Sequence, residues 1–307
     1  MPPESIAPTG GGPVAVTPPV PRRSAAFLAA VAVLLAAFHG PLIELARFSL
    51  ADQLSSYIPL IPLVSLYLGW LTREAWQIDS QPPRRLAAIP FSIGLGLLAV
   101  YWWGRHIGWR FDASDYLALM TASLVALIVA AGFAFVGAHT LRTIAFPLAF
   151  LIFAVPMPTM LHQWVETFLQ RASADAAEGF FFLTFMPNWR EGQVFHLPGM
   201  SLEVAPECSG IHSTLVLFIT SVLASHLFLR ATSRRVVLVC FVLPLALLRN
   251  GFRILVIGEL CVHIGPEMIN SSIHHHGGPL FFVLSLIPFF YLLRWLRRSE
   301  SLARPSP

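Results

Sequence analysis

A cysteine, a pair of arginines and a run of histidines stand out in this sequence because each supplies something a covalent reaction needs. Cys208 lies in Ala205-Pro206-Glu207-Cys208-Ser209-Gly210-Ile211. Pro206 and Gly210 bracket a turn that leads into an apolar stretch, so the thiol falls near a helix N-terminus. There the helix dipole favours thiolate, the nucleophilic form, and exposed backbone N–H groups can stabilise an oxyanion. A free cysteine is otherwise commonly a small buried hydrophobe, and Cys240, mid-way along an apolar segment, reads that way. Cys261 shares the outer side with Cys208, but three cysteines at these spacings carry no disulfide signature.

Arg253 lies in Arg249-Asn250-Gly251-Phe252-Arg253-Ile254, inside an apolar segment. A guanidinium there is costly and faces protein or water, unless it snorkels to the interface. Arg249, at i−4, shares its helix face and sits deeper, and Asn250 stands beside it. Two arginines on one face imply a polar cavity. The planar guanidinium stays charged and suits a carboxylate or a developing oxyanion.

His274, His275 and His276 precede Gly277, Gly278 and Pro279. Adjacent histidines cannot all face one ion from a regular helix, and no H-E-x-x-H motif is present. His263 and Glu267 are four apart, but Pro266 interrupts them. One histidine of the triplet acting as general acid and base is the stronger reading, since its pKa suits proton transfer near neutrality. No metal and no cofactor is expected. Glu207 either shapes the cysteine's surroundings or caps the helix N-terminus. His212 is an outside candidate, and the remaining histidines read as interfacial or packed.

The elements that position these residues are membrane spans. Of 307 residues, 56% are hydrophobic and only 12% charged, against about a quarter charged in soluble domains. The net charge of +4 does not indicate nucleic acid, because the arginines cluster at span ends and no aromatic-interleaved basic patch appears. A span takes about 20 mainly apolar residues, and the sequence predicts spans near 24–40, 57–71, 86–103, 116–138, 143–160, 211–229, 235–258 and 279–295. The second is short and holds Pro59 and Pro62, so a tilted, kinked or re-entrant segment fits it equally. With a cytoplasmic N-terminus, thirteen of the twenty arginines fall on inner segments and five on outer ones. That is the positive-inside bias, and it puts both termini in the cytoplasm.

The expected architecture is therefore an all-α polytopic bundle of about eight spans. A disordered cytoplasmic tail covers 1–22, a transmembrane domain 23–298, and a second cytoplasmic tail 299–307. Residues 161–207 form an outer loop. Its first half, with Trp164, Phe168 and Ala172 apolar, reads as an amphipathic helix on the membrane surface. Gln193–Glu203 alternates weakly and predicts a short hairpin. Cys208, Arg253 and the histidines then gather at one outer rim.

Three motifs in order, Glu207-Cys208-Ser209-Gly210-Ile211, Asn250-x-x-Arg253-Ile254 and His274-x-x-x-Gly278 with Phe281 and Phe282, resemble the exosortase/archaeosortase family. The resemblance covers the membrane domain and is sharpest from about 203 to 282. It implies a membrane-embedded cysteine protease or transpeptidase of the bacterial inner membrane, with its active site facing the exterior. Its substrates would be exported proteins with a C-terminal PEP-CTERM-like sorting signal, composed of a motif, an apolar helix and a basic tail. The partners are thus these proteins and the lipid bilayer, with no nucleic acid. Cys208, Arg253 and His274 take the catalytic roles. Glu207, Ser209, Gly210, Arg249, Asn250, His275 and His276 bind substrate or support them. Pro279 stands where many members carry an aromatic residue, which leaves the register open to His275 or His276. The rival reading is a transporter or channel subunit with Arg249 and Arg253 in an anion pathway. A metal-dependent intramembrane protease and a non-enzymatic assembly factor are more distant rivals.

Overall fold

The computed structural model describes residues 22–76, 84–205, 209–265, 267–268 and 278–302. Its helices are α1 (Arg22–Ala37), α2 (His39–Ala51), α3 (Leu60–Leu71), α4 (Arg84–His106), α5 (Ala113–Phe135), α6 (Ala138–Thr143), α7 (Ala145–Phe150) and α8 (Thr159–Leu183). Three short strands follow, β1 (Trp189–Glu191), β2 (Val194–Leu197) and β3 (Met200–Glu203). The chain then continues through α9 (Ile211–Phe228), α10 (Thr232–His263) and α11 (Gly278–Leu302). The helical, membrane-spanning architecture expected from the sequence is what the chain adopts.

Five helices among the described residues are long and apolar enough to cross a membrane, and two bent helix pairs raise the number to seven. The expected count of about eight differs at three places, each for a local reason. The first segment is broken by a 68° bend between α1 and α2. The expected 57–71 span contains only the 12 helical residues of α3. They rise about 18 Å, well short of a hydrocarbon core of about 30 Å. The expected 143–160 span is cut into α7, a 3₁₀ turn over Leu151–Ala154 and an 87° bend into α8. Pro156 and Pro158 lie in that bend, and proline cannot continue a helix's hydrogen bonds. At the other end of the chain, α11 runs on to Leu302, so Ser299–Leu302 is helix rather than tail.

Contacts divide the chain into two compact units. The first comprises residues 1–42, 64–107 and 119–152. In it α4 and α5 approach closely because Gly94 has no side chain. A Cβ there would meet Leu127 Cγ at 2.9 Å, and Ser123 Oγ donates to the Gly94 carbonyl at 2.8 Å. Ser65 Oγ of α3 donates to the Pro147 carbonyl at 2.7 Å. Small residues and hydroxyls drawing apolar helices together are characteristic of packing in lipid, where burial alone gives little drive.

The second unit, residues 43–63, 108–118 and 153–307, contains every motif singled out above. Here α9 and α10 form an antiparallel hairpin. At one end Arg235 Nε donates to the Leu229 carbonyl at 2.9 Å, and at the other Gly210 meets Arg249. Leu217, Leu238, Val242, Phe289 and Leu293 bury a core between α9, α10 and α11. The 18 residues of α9 rise about 27 Å, nearly one hydrocarbon thickness. The 32-residue α10 continues about 20 Å past the start of α9.

That overhang is covered by α8 and the sheet. Gly251 and Gly258 are two turns apart on one face of α10, a spacing that aligns side chains on a helix. A Cβ on Gly251 would stand 2.7 Å from Ala176 Cβ, and one on Gly258 would stand 3.0 Å from the Phe181 ring. Phe181, Phe195, Leu202, Val204 and Ile254 complete this second core. The strands pair antiparallel in the order β1-β2-β3, with Phe195 opposite Leu202. The hairpin expected over Gln193–Glu203 is present, with β1 added to it.

The helix expected in the first half of the outer loop is α8, and its two sides differ. Its buried stripe is Leu169, Gln170, Ser173, Ala174, Ala177 and Phe181, directed at α10. Trp164 and Phe168 lie outside that stripe, 68% and 43% exposed, with their rings stacked at 6.2 Å. Small side chains, not the large aromatics, make the protein contact, because only they permit the close approach to Gly251. Asp115 fixes the start of α8 by accepting from Thr159 N at 2.7 Å, which satisfies one of the donors left open at a helix N-terminus.

Candidate active site

The geometry of the site starts at Gly210. It caps the N-terminus of α9 in the left-handed region, with φ +69°. Glycine takes this conformation without steric cost. Absence of a side chain also matters, since a Cβ would stand 3.2 Å from Arg249 Nη2 and 3.2 Å from Asn250 Oδ1. The Gly210 carbonyl accepts from Thr214 N at 2.9 Å and from Thr214 Oγ1 at 2.8 Å. Ser209 is buried, and its Oγ accepts from Ile211 N at 3.4 Å. The helix start expected just after Cys208 is therefore where the sequence put it.

Arg249 and Asn250 are buried in α10, 8% and 3% exposed. Arg249 Nη2 donates to Thr214 Oγ1 at 3.4 Å, tying α10 to the first turn of α9. Arg249 and Gly251 lie on nearly opposite sides of α10, since residues advance 100° each. The helix is thus held by α9 on one side and α8 on the other. Arg253, half-buried, lies one turn and about 6 Å further along the Arg249 face, beyond the start of α9. The two arginines share a face as expected.

Upstream, the chain is pinned as it leaves β3. Gln170 Nε2 of α8 donates to the Val204 carbonyl. Val204 N donates to Gln193 O at 2.9 Å. Both ends of the stretch that carries Cys208 are therefore anchored, at Val204 and at Ser209–Gly210. Sequence reading did not find Gln170 or Thr214. A single amide on an amphipathic helix and a threonine in an apolar span give no signal of their partners.

Glu207, Cys208, His274, His275 and His276 lie outside the described residues. Cys261 is a free, buried thiol, and Cys240 is free and exposed on α10 rather than packed inside. His212, in the first turn of α9, is exposed, with Nε2 3.4 Å from Ser56 Oγ. Among the described residues no cluster of histidine, cysteine, aspartate or glutamate could hold a metal ion.

The family model described as transmembrane exosortase (Exosortase_EpsH) matches residues 48–291, well over half of the chain. The chain belongs to the transmembrane exosortase family. That family consists of membrane cysteine-type transpeptidases that act on secreted proteins bearing C-terminal sorting signals. Nothing among curated proteins and nothing among solved structures matches the chain. The exosortase match covers the Cys208, Arg253 and His274 motifs and includes parts of both compact units.

Proposed function

We propose that this exosortase cleaves the PEP-CTERM-like C-terminal sorting signal of exported proteins through a thioester on Cys208 and passes them to an acceptor. The observation that carries the proposal is the seating of Gly210 against Arg249 and Asn250. Two peptide units join Cys208 to Gly210 and span at most about 7 Å. That closeness in the chain supports the reading that the thiol works beside the start of α9 and the arginine face of α10.

In this reading the Cys208 thiolate attacks the scissile carbonyl carbon. Negative charge moves to the carbonyl oxygen, where the Arg253 guanidinium stabilises it. The tetrahedral adduct collapses, the C–N bond breaks, and His274 gives a proton to the departing amine. An acceptor amine, or water, then attacks the thioester and loses its proton to His274. Thiolate leaves as the new bond closes. Ser209 and Gly210 shape the turn, while Glu207, His275 and His276 are supporting groups.

The orientation follows from charge. Arg230 precedes α10, Arg234 and Arg235 lie in its first turn, and Arg294, Arg297 and Arg298 lie near the end of α11. Arg234 Nη1 donates to the Leu296 carbonyl at 3.1 Å, so these groups share one end of the bundle. Positive-inside bias makes that end cytoplasmic. Gly210 and Arg249, at the opposite end of α9, then face the exterior of a bacterial inner membrane.

Co-expression with a signal-bearing substrate and intact-mass measurement tests this. The full-length protein is expected to remove the C-terminal tail, and Cys208→Ala to leave it in place. Any mass added to the product identifies the acceptor. Normal processing by Cys208→Ala would overturn the assignment.

A further inference from the structure

Arg249 is 8% exposed, and its Nη1 is buried with no hydrogen-bond partner among the described residues. Nη2 makes only a long contact, 3.4 Å, to Thr214 Oγ1. A buried cation without a counter-charge is costly unless an anion joins it. The guanidinium abuts the N-terminus of the 18-residue α9, beside Gly210. The first N–H groups of a helix lack intrahelical acceptors and favour negative charge. Among the described residues Ile211 N has only the 3.4 Å contact to Ser209 Oγ. An unused donor of a buried cation and an open helix N-terminus thus converge on one place.

We propose that Arg249 and the first turn of α9 form a subsite for a carboxylate side chain of the substrate, holding an acidic residue of the sorting signal beside Cys208. This rests on the transpeptidase reading above. The planar fork of a guanidinium matches a planar carboxylate. Arg253, about 6 Å away along the helix, serves the scissile carbonyl. Successive residues of an extended peptide are about 3.5 Å apart, so the acidic side chain belongs within two residues of the cleaved bond. The substrate's own terminal carboxylate does not qualify. An apolar helix crossing a core of about 30 Å separates it from this end of α9.

The test uses full-length protein co-expressed with two forms of one sorting signal, carrying glutamate or glutamine within two residues of the cleavage point. The full-length wild type is expected to process the glutamate form about ten- to a hundredfold faster, the size of a charge-assisted hydrogen bond. Arg249→Gln should bring the two rates within about twofold. Arg249→Lys should keep part of the preference, since it retains charge but not the fork. An unchanged preference in Arg249→Gln, or no preference in the wild type, overturns the subsite. So does a preference that appears only in Glu207→Gln, because Arg249 would then serve Glu207 of its own chain. If Arg249→Gln fails to accumulate, binding of the same two signals as peptides to Cys208→Ala and to Cys208→Ala/Arg249→Lys in detergent reads the same ratio. Cys208→Ala separates the two proposals. If it abolishes cleavage while Arg249→Gln keeps the preference, only the subsite falls.

Discussion

Gly210 and Asn250 touch where two helices meet. A Cβ on Gly210 would stand 3.2 Å from Asn250 Oδ1, and the residue's φ of +69° already disfavours any L side chain. The left-handed conformation costs a substituted residue about 1–2 kcal/mol, and the contact with Arg249 and Asn250 adds to it. Gly210→Ala is therefore expected to lower the melting temperature of the purified protein and to reduce substrate processing further than that loss explains. Thermal unfolding in detergent and processing rate, measured together, check this. A variant with wild-type values for both would show that the Gly210 turn neither strains nor positions anything.

Two glycines should respond oppositely to alanine. At Gly251 the new methyl would meet Ala176 Cβ at 2.7 Å and the Ala177 backbone nitrogen at 2.9 Å. Backbone cannot rotate away as a side chain can, so α8 and α10 must separate, at a cost of about 1–3 kcal/mol for overpacking. At Gly179, within the same α8, nothing lies within 4 Å of an added Cβ. There alanine gains helix propensity of up to about 1 kcal/mol. Unfolding curves of Gly251→Ala and Gly179→Ala, compared with wild type, should therefore shift in opposite directions.

Much of this was legible in the sequence, for identifiable reasons. The cores of α4, α5, α9, α10 and α11 show as long apolar runs, a signal that needs no tertiary context. Gly210 after Pro206 marked the start of α9. Arg249 and Arg253 were placed on one face by the helical period alone. Breaks were harder. The 57–71 and 143–160 runs are apolar enough to span, but their prolines and the local packing stop them. The length of α10 was also hidden. The expected span stops at 258, before Glu259, whereas the helix runs on to His263 in the overhang that carries Gly251 and Gly258 and packs on α8. Likewise, the Trp164–Phe168 stripe showed that this segment is amphipathic, but nothing marked Ser173, Ala174 and Ala177 as the residues that pack on α10. Close approach depends on shape, which hydrophobicity does not encode.

In the proposed mechanism the histidine triplet does the proton work and Arg253 the charge work. Replacing His274, His275 and His276 singly by alanine should abolish processing at one position only, and the resemblance assigns His274. Arg253→Lys keeps the charge but loses the fork, and should lower kcat by about 10²–10³, the scale of a lost oxyanion contact. Single-turnover processing rates of the four variants check both expectations. Equal, small losses across all four would argue that none of these groups touches the reacting atoms.

Gln170 makes the least obvious contribution. It is 7% exposed on α8, and its amide donates to the carbonyl of Val204, itself 1% exposed. This bond holds the chain as it leaves β3, four residues before Cys208. Gln170→Leu keeps similar bulk but leaves a buried carbonyl with one partner fewer, a loss of about 1–3 kcal/mol. Reduced stability is thus expected. If the bond also positions the Cys208 segment, the rate of thioester formation should fall while substrate binding by the Cys208→Ala/Gln170→Leu double variant stays close to that of Cys208→Ala. Alkylation of Cys208 by iodoacetamide supplies a readout independent of substrate, and its rate should change in Gln170→Leu. Lowered stability with unchanged alkylation and thioester rates would assign Gln170 to the fold alone.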